Sequence, residues 1–113
     1  MRINMRGKDL ISKVHELIEG NMFKILDPEK FGEMIEKETG CELYIYDLEP
    51  PVEREVIEEE RDGVEWKVTI ESGIDQLVCG KRKINLELER AWIMIAMKDR
   101  TYHYMIIFDW GYI

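Results

Sequence analysis

The stretch AWIMIAMKDRTYHYMIIFDW, Ala91 to Trp110, constrains the fold of this chain more than any other. It is the most apolar segment, and the polar interruption at Lys98–Thr101 divides it into two strand-length halves. The pattern predicts a β-hairpin with its turn centred between Asp99 and Arg100. That centring opposes Met97 to Tyr102, Ile95 to Tyr104, Ile93 to Ile106 and Trp92 to Ile107. Side chains alternate between the two sides of a strand. One side therefore takes Ile93, Ile95, Met97, Tyr102, Tyr104, Ile106, Phe108 and Trp110. The other takes Trp92, Met94, Ala96, His103, Met105, Ile107 and Asp109. A hairpin with one solvated face is polar on that side. Here both sides are apolar, so each calls for a cover.

The upstream sequence supplies one cover. Leu10, Ile11, Val14, Leu17 and Ile18 recur at helical spacing, which predicts an amphipathic helix over 8–20 that stops at Gly20–Asn21. A second helix starts from Asp27 as N-cap with Pro28 at the first turn. It carries Phe31, Met34 and Ile35 inward and closes at Gly40. Met22, Phe23, Ile25 and Leu26 form an apolar connector between them.

Everything after Gly40 alternates as strands do. Leu43 and Ile45 oppose Tyr44 and Tyr46, and Glu49-Pro50-Pro51 interrupts the run. Residues 52–61 read as an edge strand or an excursion. Asp62-Gly63 signals a tight hairpin into the alternating Val64, Trp66, Val68 and Ile70. Ser72-Gly73 reads as a further break. A last hairpin, Ile74–Cys79 with Ile84–Glu89, sets Cys79 against Ile84 and Leu77 against Leu86. Asn85–Met97 also suits a helix, but the alternation of Ile84, Leu86 and Leu88 with Asn85, Glu87 and Glu89 favours strand.

The expected fold is a single α+β domain over 1–113. Two N-terminal helices pack on one face of a mostly antiparallel sheet of five to seven strands. The order helix, helix, then a GCELYIY strand and a meander is similar in layout to small GAF- or PAS-like sensor domains. That resemblance implies a small-ligand pocket between helices and sheet, which Met34, Met94 and Met105 would line.

Charge narrows the partners. The net charge is −8, and residues 29–71 hold 15 acids and 5 bases while each flanking segment comes to +1. A local net of −10 disfavours nucleic acid, which demands clustered Lys and Arg. It suits a solvated face or a basic protein partner meeting Glu58, Glu59, Glu60 and Asp62. One Gln and three Asn beside abundant Glu, Lys and Arg is also a heat-adapted composition. No apolar run approaches the roughly 18 residues of a membrane span. MRINMRGKDL has no hydrophobic core of a signal peptide, so a cytoplasmic location is expected.

No catalytic constellation, cofactor motif or metal set emerges. Cys41 and Cys79 are expected to remain unpaired, Cys79 as a small core residue and Cys41 as an exposed thiol at the helix-to-strand corner. His103 falls mid-strand, roughly 20 Å from Asp109 on the same side, too far for a dyad. It reads as a core or interface histidine, and His15 as a solvated one. An enzyme would have to assemble scattered residues such as His103, Cys41 and Glu58. Glu58–Asp62 with Gly63 lacks calcium-loop spacing. The remaining signal is aromatic. Tyr44, Tyr46, Trp92, Tyr102, Tyr104, Phe108 and Trp110 are the expected interface of a homodimer, in which a second copy covers the second sheet face.

Overall fold

A computed structural model describes residues 7–113; the MRINMR segment read above lies outside them. Two helices, α1 (Gly7–Asn21) and α2 (Pro28–Thr39), precede four strands: β1 (Glu42–Arg61), β2 (Val64–Cys79), β3 (Arg82–Ala96) and β4 (Thr101–Tyr112). The strands form one antiparallel meander in the order β1-β2-β3-β4. The class is α+β, but the sheet has four strands rather than five to seven. The expected breaks fall inside long strands. Glu49-Pro50-Pro51 lies within β1 and Ser72-Gly73 within β2, while Ile84–Glu89 and Ala91–Ala96 are halves of β3.

Prolines are tolerated there because β1 is an edge strand, and its ladder shifts register between Tyr44 and Glu49 and again between Glu49 and Val52. Gly73 stays in the β2–β3 ladder opposite Leu88. Its missing side chain serves packing instead. A Cβ there would lie 2.5 Å from Cε1 of Tyr46, so the Tyr46 ring rests on bare backbone.

The helices form as their ends dictate. The Asp27 carboxylate accepts the Glu29 and Lys30 N–H groups at 3.0 and 3.3 Å, and Gly40 closes α2 at φ 75°. Leu10, Val14 and Ile18 of α1 and Phe31 and Ile35 of α2 bury against Leu77, Ile84, Leu86, Leu88, Met105 and Ile107. The connector after α1 runs along the free edge of β4. Phe23 N–H donates to Ile107, and Leu26 and Met105 exchange backbone hydrogen bonds of 2.8 and 2.9 Å.

The hairpins differ from expectation by two residues. Ala96 opposes Thr101, Ile95 Tyr102, Ile93 Tyr104 and Trp92 Met105; likewise Leu77 opposes Ile84 and Cys79 opposes Arg82. A shift of two leaves every side chain on its expected face. A bulge then changes the face. Arg90 pairs with Ile107 and Glu89 with Asp109, leaving Phe108 as the extra residue. Beyond it Trp110 opposes Leu88 on the helix side, away from Tyr102 and Tyr104. Its indole N–H donates to Glu19 at 2.8 Å, and its ring meets those of His15 and Tyr112 edge-on.

The cysteines also depart from expectation. Cys41 is fully buried and joined to Cys79 in a disulfide. The β1–β2 ladder pairs Glu42 with Val78, so its first rung sets Cys41 beside Cys79. Their separation of 38 residues hides this neighbourhood from local pattern.

Candidate functional site

The described residues span 50 Å along the longest axis, because the sheet runs past the helices as a bare arm. On the side away from the helices, the ladder registers place side chains in three aligned rows. Glu55, Ile70, Ala91 and Ile106 form one. Ile57, Val68, Ile93 and Tyr104 form the next, and Glu59, Trp66, Ile95 and Tyr102 the third. Across β2, β3 and β4 every position in these rows is apolar or tyrosine. None joins the helix-packed core, and no described helix lies on this face. Trp66 is 43% exposed and Ile57 49%, Glu55 and Glu59 are exposed at the rim, and the remaining residues of the rows are half-buried by their sheet neighbours. Nearer the helices the same face turns polar, with Gln76, Asn85, Glu87, Glu89 and Asp109. The uncovered patch thus has a boundary.

The seven aromatic residues expected at one interface divide among several places. Tyr102 and Tyr104 lie on the outer face with stacked rings 6.4 Å apart. Tyr44 is exposed at the start of β1, where its hydroxyl donates to Glu42 and that carboxylate raises its ionisation above the usual range. Phe108 is the bulged residue and Trp110 packs on α1. Tyr46 and Trp92 turn to the helix side. The cause for Tyr46 is the β1 irregularity, where residues 45–48 face a single residue of β2 and Tyr46 takes φ 57°.

There they roof a buried charged group that the sequence reading missed. Arg90 and Asp75 are fully buried and Glu71 nearly so. Arg90 Nη2 donates to Asp75 Oδ1 at 2.8 Å, its Nε stands 3.8 Å from Glu71 Oε1, and Asp75 Oδ1 also accepts the Tyr46 N–H at 2.9 Å. The guanidinium carbon is 4.7 Å from the Tyr46 ring centre and 5.4 Å from that of Trp92, whose indole donates to the Tyr46 hydroxyl. Burial pushes both carboxyls above their usual range. The Trp92 indole and the Arg90 charge oppose this at Glu71, and the Arg90 hydrogen bond and charge oppose it at Asp75. One signal was available: Asp75 and Arg90 share the side of Leu77, Leu86 and Leu88, where a charge requires a partner.

This group closes the core edge rather than a ligand cavity. The 220 Å³ hollow at Gly73 is lined by Val52, Ser72, Ile74 and Glu87, which the ladder puts on the outer side. The three methionines expected to line one pocket lie apart. Met105 is in the core, Met34 borders a shallow groove with Ile25 and Tyr104, and Met94 lies on the arm. His103 is exposed rather than covered, and His15 is exposed as expected. Cys41 is no free thiol.

The acidic residues do converge. Glu58, Glu59 and Glu60 wrap the free edge of β1 and, with Glu65, Trp66, Lys67 and Met94, bound a groove of about 320 Å³ at the arm. Asp62 sits at the tip turn with φ 54°. Lys67 stands 3.9 Å from Glu58, and Arg61 3.0 Å from Glu59. Among the described residues, no three His, Cys, Asp or Glu side chains form a metal-binding group, and no helix is long and apolar enough to cross a membrane. No family model, curated protein or solved structure matches this chain.

Proposed function

We propose that this chain is a binding protein that works through the outer face of its sheet and associates with itself there. The observation that carries this is the set of three apolar rows across β2, β3 and β4, on which no described helix lies. Across β2, β3 and β4 the three rows occupy about 300 Å² of projected sheet. A monomer's largest apolar patch is commonly about this size and is often functional. The rows are uncharged across β2, β3 and β4, with Glu55 and Glu59 at the β1 rim, which suits a second copy because no charge is stripped of water at the centre.

Light scattering over a concentration series tests this. Twice the 13.5 kDa chain mass is expected at high concentration. Ile93→Glu, which sets a charge at the patch centre, should return it to one chain with its thermal transition intact. A wild-type protein of single-chain mass throughout would overturn the reading.

A second reading rests on the arm groove. Four glutamates around Trp66 suit a basic protein partner. Its association rate would fall steeply with salt. The Cys41–Cys79 bridge bears on location, since disulfides persist in oxidising surroundings or in the interiors of hyperthermophiles.

A further inference from the structure

We infer that a second copy covers the outer face with its twofold axis lying along the strands, so that β1 of each copy crosses over β4 of the other. The inference rests on the outer face being a binding surface, and it names how the partner sits. Sheets packed face to face stack about 10 Å apart with strands within about 30° of parallel. A twofold axis in the interface plane then has two simple settings. Across the strands, it lays β1 over β1. Along them, it lays β1 over β4 and β2 over β3.

Charge separates the two settings. The β1 edge is acidic on balance: its outer positions Glu55 and Glu59 flank Ile57, and Arg61 stands 3.0 Å from Glu59 at the tip. The β4 edge carries cations. Lys98 and Arg100 lie in the β3–β4 turn, together with Asp99. Lys24 lies in the connector that hydrogen-bonds along β4. Arg100 donates to the Tyr102 hydroxyl at 3.0 Å, which holds its guanidinium at this edge. Laying β1 over β1 stacks glutamates on glutamates. Laying β1 over β4 keeps each row over its own counterpart. Glu59 of one copy then meets Tyr102 and Arg100 of the other, Trp66 meets Ile95, and Ile93 meets Val68. Every contact occurs twice by symmetry, as an isologous interface requires. Two such four-strand faces, about 400 Å² each in projection, bury about 800 Å², below the roughly 1,000 Å² at which stable interfaces begin, so the dimer is weak and concentration-dependent.

The test is charge reversal read by dimer dissociation in sedimentation or light scattering. Glu59→Arg alone and Arg100→Glu alone should each weaken the dimer, roughly threefold or more for a rim pair. The double variant should recover most of the loss, and the single losses should shrink in high salt. If Glu59→Arg tightens the dimer, β1 lies over β1 and the inference is overturned while the outer-face reading stands. The same holds for a dimer that Ile93→Glu disperses but that neither charge reversal alters. A chain that stays single at every concentration overturns both. Thermal transitions of each variant separate loss of fold from loss of contact.

Discussion

Reducing or deleting the Cys41–Cys79 bond is expected to lower stability by about 4 kcal/mol, and its magnitude follows from where the bond sits. It spans 38 residues of chain that include nearly all of β1 and β2. In the chain-entropy account, closing a loop of that length removes about 13 cal/mol/K from the unfolded ensemble, or about 4 kcal/mol at 25 °C. The native state contributes little to the difference, since the first rung of the β1–β2 ladder already holds the two residues together. The assay is urea unfolding of the oxidised protein, of the same protein in reductant, and of the Cys41→Ala/Cys79→Ala variant. With a slope near 1.5 kcal/mol/M, the midpoint should move by roughly 2–3 M. The two reduced forms should agree within about 1–2 kcal/mol, the difference reflecting the lost volume of the buried Cys41 side chain. Thiol titration of the unfolded, unreduced chain should detect no free thiol. Two titratable thiols, or an oxidised midpoint within about 0.5 M of the reduced one, would refute the reasoning.

Two further outcomes follow from the Arg90 group. Arg90→Met leaves the Asp75 and Glu71 carboxyls buried without their cation and should cost about 3–5 kcal/mol in urea unfolding at neutral pH, whereas Arg90 and Asp75 replaced together by apolar residues should cost less. Because burial raises Glu71 and Asp75, their contribution is full below the unfolded carboxyl value near pH 4 and declines as pH rises through their folded values. The melting temperature should therefore fall from mild acid toward neutrality. Glu71→Gln should flatten that slope, and superimposable wild-type and variant profiles would count against the assignment.

What could be read in advance was what is encoded locally. Asp27, Pro28 and Gly40 mark the ends of α2 because each acts on backbone groups within one turn. Asp62-Gly63 makes its tight turn because both residues accept positive φ. The two faces of the last hairpin survived an error in register, since a slip of two residues preserves alternation while a slip of one destroys it. The aromatic site was less legible. Tyr102 and Tyr104 share the outer face with Tyr44 at its far end, while the irregularity at Tyr46 turns that ring to the helix side, the bulge at Phe108 does the same for Trp110, and Trp92 takes the side opposite Tyr102 that alternation assigns.

The sequence by itself determined the α+β class, the helix caps, the turn at Asp62-Gly63 and an apolar outer face along β3 and β4. These depend on capping, dihedral preference and a period of two, all settled within a few residues. The tertiary structure alone decided that four long strands run through apparent breaks, that Cys41 meets Cys79, and that Arg90 is buried between Asp75 and Glu71. Each of those depends on which distant strand lies alongside. Gly73 shows the difference: it reads as a turn residue in sequence, and in the fold it is the bare floor on which Tyr46 lies over Arg90.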